Sequence, residues 1–202
     1  MHSDRILSVL TQLLSLRAPR KHFAELLQRA KGGIQHFIPL IQFSDSTWAT
    51  CTRTRKSISG NCTFMYGNLV SWCTQKQPVI ALSSCEAEYV ALASTFKEGC
   101  YLCNLFGCFV EAVSSFLGQP NSLVYCDNNG TMHMAENQVN NSRTKHIDLR
   151  FHFIRSKLRE NFALDKVHTD ENVADFFTKP LAKPKFEKFK TMVLSGLNAT
   201  EP

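Results

Sequence analysis

The chain has 202 residues, 44% hydrophobic and 20% charged, enough to bury one substantial core but tight for two. Those proportions exclude disordered and fibrous classes. Its 23 basic and 17 acidic residues leave a formal charge of +6, a modest excess that suits polyanions without requiring them. No run of 18 apolar residues and no basic-then-apolar leader is present, so an intracellular protein, cytoplasmic or nuclear and neither secreted nor membrane-bound, is expected. Eight cysteines scattered through apolar patterns suit a reducing compartment. Cys100, Cys103 and Cys108 lack a second ligand pair at zinc spacing, and the first two fit an apolar helix face.

Residues 1–40 form the first segment, an N-terminal helical extension with leucine-rich stretches Ile6 to Leu16 and Lys21 to Lys31, closed by Gly32-Gly33. It carries no chemistry and reads either as a helix pair that docks a protein partner or as sequence fused upstream. From Ile41 the period changes to two, with Ile41, Phe43 and Asp45 on one face of a first strand. Two further strands, Cys62 to Tyr66 and Leu69 to Cys73, flank Gly67-Asn68, a pair that accepts the positive φ of a tight hairpin. Ser83-x-x-Glu86 has the form of a capping box, which predicts a helix from about Ser84. Tyr89, Leu92, Ala93, Phe96, Cys100 and Cys103 recur at helical spacing and give that helix its sheet-facing side.

Leu123 to Cys126 is a short apolar run that predicts a buried fourth strand ending at Asp127. Asn128-Asn129-Gly130 starts a short helix through Glu136. After the polar loop 137–145, Ile147, Phe151, Ile154 and Leu158 mark a further amphipathic helix. Phe162 to His168 is the fifth strand, and a last helix capped by Thr169 or Asp170 runs to Lys179-Pro180. The order β-β-β-α-β-α-α-β-α predicts a single α/β domain over residues 41–181, a mixed five-stranded sheet flanked by helices. Residues 182–202 form a C-terminal helical tail.

Four acids fall at strand ends or on sheet-facing helix positions, where an ordinary core does not place them: Asp45, Glu88, Asp127 and Asp175. The first and fourth strands would run side by side, joining Asp45 to Asp127, while Glu88 and Asp175 reach over from helices. Crowded buried carboxylates repel, and holding divalent cations resolves the repulsion. Hard oxygen ligands select Mg²⁺ or Mn²⁺, and two such ions can activate a water and stabilise the leaving oxygen of a phosphodiester.

The segments Phe43-Ser-Asp45, Ser83-Ser-Cys-Glu-Ala-Glu88-Tyr-Val-Ala-Leu92, Tyr125-Cys-Asp127-Asn128, Arg143-Thr-Lys-His-Ile-Asp148 and Ala174-Asp175-Phe-Phe-Thr-Lys179-Pro-Leu181, in this order, resemble the ribonuclease H domain of copia-type retrotransposon Pol polyproteins. The resemblance implies a ribonuclease H-like fold and metal-dependent hydrolysis of the RNA strand of RNA/DNA hybrids. It also implies that Asp45, Glu88, Asp127 and Asp175 bind two Mg²⁺ or Mn²⁺ ions. Glu86 competes with Glu88 for this role, but the capping box gives Glu86 a structural function. His168, seven residues before Asp175, is a candidate for proton transfer, set against a plain exposed histidine at a strand end. His146 and His152 read as structural. Arg53, Arg55 and Lys56, with Arg143 and Lys145, are candidates for phosphate contact, the bland alternative being solvated charge. Trp48 and Trp72 read as packing residues before base-stacking ones.

Two positions depart from the family pattern: Thr47 stands where a second acid is usual, and Thr50 where a glycine follows the Trp-Ala pair. Threonine takes a glycine's φ only at a cost, so the turn after the first strand is expected to be weakened. A catalytically inactive nucleic-acid-binding or interaction module is the competing reading. An integrase core is disfavoured because glutamate comes second among the four acids rather than last.

Overall fold

The computed structural model describes residues 40–65, 67–110, 122–136 and 145–197. The expected N-terminal helices lie outside these residues; Leu40, expected as the last residue of the extension, opens the first strand instead. Five strands form one sheet: β1 (Leu40–Thr47), β2 (Ile58–Met65), β3 (Asn68–Lys76), β4 (Ser122–Cys126) and β5 (Phe162–Lys166). The spatial order is β3-β2-β1-β4-β5. β1 pairs antiparallel with β2 and parallel with β4, and β4 pairs parallel with β5. This is the mixed α/β sheet the element order predicts.

The β2–β3 hairpin turns where expected, with Gly67 at φ 83°, a conformation glycine adopts without a Cβ penalty. Helix α1 (Ser84–Val110) crosses one face of the sheet, and α2 (Asn129–Glu136) and α3 (Lys145–Leu158) lie beside it. The periodic positions Tyr89, Leu92, Ala93 and Phe96 are buried with Val124, Cys126, Ile154 and Phe162 in one cluster. Phe96 stacks on Phe162 with centroids 5.0 Å apart. Alternation along β1 sends Phe43 to the opposite face, where it joins Phe64, Val173, Ala174 and Phe189.

The expected last helix is not one helix. Residues Thr169–Glu171 and Val173–Phe177 form two short 3₁₀ segments. Asn172 divides them, because its Oδ1 accepts from Ala174 N while its Nδ2 donates to Ser44 O of β1, 3.0 Å away. A side chain that caps a new turn and is tied to a neighbouring strand holds the backbone out of a continuous helix. Beyond them α4 (Lys183–Ser195) begins with proline in its first turn, where the missing N–H costs nothing. Its Phe189 is fully buried in the second cluster, with Met192 and Val193 packed beside it, and Leu197 N donates to Gly67 O at 2.9 Å. The C-terminal helix thus shares the core of the sheet. No helix among the described residues is long and apolar enough to cross a membrane.

Both tryptophans are exposed, unlike the expectation. Trp48 is half exposed in the turn after β1, with Nε1 donating to Ala81 O, and Trp72 projects from the edge strand β3. An edge strand has solvent where a central strand has a packing partner, so a large ring there is not forced into the core. In the turn itself the positive φ falls on Ala49, at 53°, and not on Thr50. Ala49 N is held by Ser57 Oγ at 3.0 Å, and Thr47 and Thr50 join hydroxyls at 3.1 Å. The substituted threonines therefore take part in the turn, and alanine carries the strained backbone.

Candidate metal centre

Parallel pairing of β1 with β4 runs in register to Ser44↔Cys126. One step further along each strand direction stand Asp45 and Asp127, so the register alone places two carboxylates side by side where the parallel β1–β4 pairing ends. Asp175, in the second 3₁₀ segment, meets them from the Phe43 face. Carboxylate oxygens of Asp45, Asp127 and Asp175 all lie within 4.8 Å of one another. Glu88 comes from α1 on the opposite face, and it forms a second group with Asp127 and Cys126 within the same limit. Asp127 is common to both groups and bridges the two faces of the sheet.

Glycine makes room for this approach. Gly60 lies directly across β1 from Asp45, and a Cβ there would come within 2.5 Å of Thr178 Cγ2 and 3.1 Å of Phe177 Cβ. Its absence lets the 3₁₀ segment settle on β2 with Thr178 Oγ1 donating to Asp45 Oδ2. Glu88 is fixed from the other side by Ser46 N, which donates to its Oε1 at 3.1 Å. Glu86 is occupied at the helix start, as expected. Ser83 Oγ accepts from Glu86 N, and Glu86 Oε2 accepts from Leu82 N at 2.8 Å. The capping partner is Leu82 N, one residue before the expected Ser83 N.

Burial first, then neighbouring charge, sets the electrostatics. Asp45 is raised from 3.8 to about 7 by burial, with Asp175 and Asp127 adding to the rise while the Thr178 hydroxyl and Lys179 oppose it. Glu88 is raised from 4.5 to about 9 by burial and by the Asp45 and Asp127 charges, against the bond from Ser46. Two lysines balance part of the charge. Lys179 Nζ lies 2.7 Å from Asp175 Oδ1 and 3.7 Å from Asp45 Oδ2. Lys185 Nζ, from α4, lies 2.8 Å from Asp175 Oδ2.

The residues present fit a hard divalent cation. All four donors are carboxylates, Glu88 Oε2 is buried with no hydrogen-bond partner, and burial with neighbouring negative charge raises both Asp45 and Glu88. A cation would offset that charge.

His168 Nδ1 accepts from Asp170 N at 3.2 Å and caps the first 3₁₀ turn, with its side chain 75% exposed. Arg53 and Arg55 are exposed in the turn after β1, Arg55 at φ 54°. Lys56 Nζ instead donates to Pro78 O at 2.7 Å. Arg143 and the Lys145 and His146 side chains lie outside the described residues, and His152 is exposed on α3. Among the described residues seven cysteines, Cys100 and Cys103 included, are free; burial raises the Cys103 thiol to about 11, as expected of a packing residue.

Sequence reasoning passed over Gly60, Thr178, Lys179 as a charge partner, and Lys185. A glycine inside a strand signals close backbone approach and was available at Gly60. Nothing in the lysine-rich run Lys183 to Lys190 marks Lys185 as different from its neighbours.

No family model matches the chain. It is 36% identical over 152 residues to the retrovirus-related Pol polyprotein from transposon TNT 1-94 of Nicotiana tabacum, a match covering 75% of this chain and 11% of that protein. To the corresponding polyprotein from transposon RE2 of Arabidopsis thaliana it is 35% identical over 158 residues, covering 77% and 10%. Among solved structures, the N-terminal RNase H domain of a Mycobacterium tuberculosis protein, fused to maltose-binding protein, superposes with a TM-score of 0.48 at 12% identity, covering 77% of this chain and 98% of that one. The chain spans about a tenth of the length of the curated relatives it matches. Over about three quarters of its length the chain is thus similar to a segment of the retrovirus-related Pol polyproteins of plant transposons.

Proposed function

We propose that this chain is a retrotransposon-derived ribonuclease H that hydrolyses the RNA strand of RNA/DNA hybrids at a centre of two Mg²⁺ or Mn²⁺ ions held by Asp45, Glu88, Asp127 and Asp175. One observation carries the reading: acids 130 positions apart in sequence, from both faces of the sheet, converge on Asp127. When bound, divalent cations supply the charge that lets the carboxyls ionise, activate water and stabilise the leaving sugar oxygen.

The chain's own residues prepare that chemistry. Thr178 and Ser46 N fix one oxygen each of Asp45 and Glu88, so the donors are oriented before any substrate arrives. Exposed Arg53 and Arg55 sit in the turn leaving β1, eight and ten residues after Asp45, and are assigned to phosphates of the hybrid backbone along with Arg143 and Lys145. Such contacts read shape and charge and carry no base preference. His168 is assigned to capping, because its Nδ1 is occupied by Asp170 N.

The test is cleavage of an end-labelled RNA/DNA hybrid in Mg²⁺. Turnover by the parent protein and its loss in Asp127→Asn supports the reading; equal turnover by both discards the metal site. Hybrid binding without turnover in either Mg²⁺ or Mn²⁺ selects the alternative, an inactive binding module. The lysines that hold both oxygens of Asp175 favour that alternative.

A further inference from the structure

Asp175 is fully buried, yet each of its oxygens meets an ammonium group. The two lysines differ in how they are held. Lys185 also donates to Thr169 O at 2.7 Å and lies 3.5 Å from Asp170 Oδ1, so it is anchored by groups that belong to no acid cluster. The polar contacts of Lys179 among the described residues are Asp175 and Asp45 alone. Its side chain is 36% exposed while those of its two partners are 0% and 3%, so the lysine has a route to solvent and the acids have none.

The ammonium of Lys179 therefore stands between two carboxylates whose oxygens are close enough to share a cation. An ammonium nitrogen 2.7 Å from a carboxylate oxygen and a metal–oxygen bond of about 2.0–2.6 Å place their cations in nearly the same space. Both cannot be there at once.

Resting on the metal-centre reading, we propose that Lys179 is an internal competitor for the Asp45–Asp175 side of the centre, a stand-in cation that a divalent ion must displace before it can bridge these acids. The long lysine stem swings outward, Asp175 keeps Lys185 on its other oxygen, and Thr178 keeps Asp45 in place. In the protein alone, the same lysine offsets part of the repulsion among the acids, so it holds the site in shape at the expense of ion affinity.

Mn²⁺ titration calorimetry at constant pH tests this on the full chain. Lys179→Met is expected to bind Mn²⁺ about tenfold more tightly than the parent, because the site no longer spends most of its time occupied from within. Lys179→Arg, which keeps the charge, is expected to gain nothing. A folded Lys179→Met with parental or weaker affinity, while Asp127→Asn still abolishes binding, overturns the competition and leaves the metal centre standing. Absence of binding in both the parent and a folded Lys179→Met overturns both. Should Lys179→Met fail to fold, amine labelling of the parent decides: saturating Mn²⁺ is expected to raise modification at Lys179, and unchanged protection overturns the proposal.

Discussion

Two buried polar groups sit three residues apart on β1, and they are built on opposite plans. Gln42 is completely buried, but Nε2 donates to Thr63 Oγ1 and Thr95 O, and Oε1 accepts from Ser122 Oγ. Those bonds tie β1 to β2, β4 and α1 with no net charge and no need of anything from outside. Around Asp45 the groups are charged, mostly of one sign, and Glu88 Oε2 is left without a partner. A satisfied network costs little to bury, while an incomplete one is expensive. The Gln42 group thus belongs to the architecture, and the Asp45 group persists despite its cost.

Substitutions can drive that contrast to its limits. The largest effect is expected from Asp45→Asn, which should lower Mg²⁺-dependent hybrid cleavage by at least about 100-fold, the upper end of what even indirect supports of a metal site are worth. Its thermal midpoint without metal should hold or rise, since a repelling acid is removed; a large fall would make Asp45 structural. Gly60→Val should cost about 1–3 kcal/mol in denaturant unfolding through overpacking against Thr178 and Phe177. It should also reduce cleavage, since the 3₁₀ segment carrying Asp175 has to move.

Gln42→Leu is the converse experiment. It orphans buried hydroxyls and a carbonyl, each worth about 1–3 kcal/mol, yet Mn²⁺ affinity of the folded fraction should match the parent. Loss of ion binding there would dissolve the distinction between the two groups.

pH sharpens it further. Glu88 and Asp45 have folded-state values raised above 4.5 and 3.8, to about 9 and about 7, so the native state binds more protons than the unfolded one between those limits. The stability that these two carboxyls contribute without metal is therefore fully present below about pH 4, is lost for Asp45 as pH rises through about 7, and goes on being lost up to about pH 9 for Glu88. Mg²⁺ should flatten the decline, and ion affinity should rise over the same range with release of protons; thermal melts across pH with and without Mg²⁺ measure both. The smallest effect is expected at His168→Ala, which removes a cap worth about 1 kcal/mol and should leave cleavage within tenfold. A hundredfold loss would instead make His168 a proton carrier.

Much of this was legible in the residues, for identifiable reasons. Strand alternation put Phe43 and Asp45 on one face, and an apolar run ending at Asp127 placed that acid at a strand end. Capping chemistry separated Glu86 from Glu88, because a capping glutamate must turn back to its own helix start. The last segment was not legible: several helix-start residues lie between Thr169 and Thr178, and the bonds of Asn172 to Ser44 and Ala174 divide it into two 3₁₀ turns. Lys185 escaped for a related reason. Its partner is ten residues away across a turn whose path is set by Phe189 reaching the core, and no local pattern encodes that path.

The docking of α4 also has a consequence for synthesis on the ribosome. Lys185 and the bond from Leu197 to the β2–β3 hairpin come from the far end of the described chain, whereas Asp45 emerges long before them. A nascent chain lacking these residues presents its first three acids without the Asp175–lysine set that completes the cluster, so the cluster closes only once translation has passed this helix.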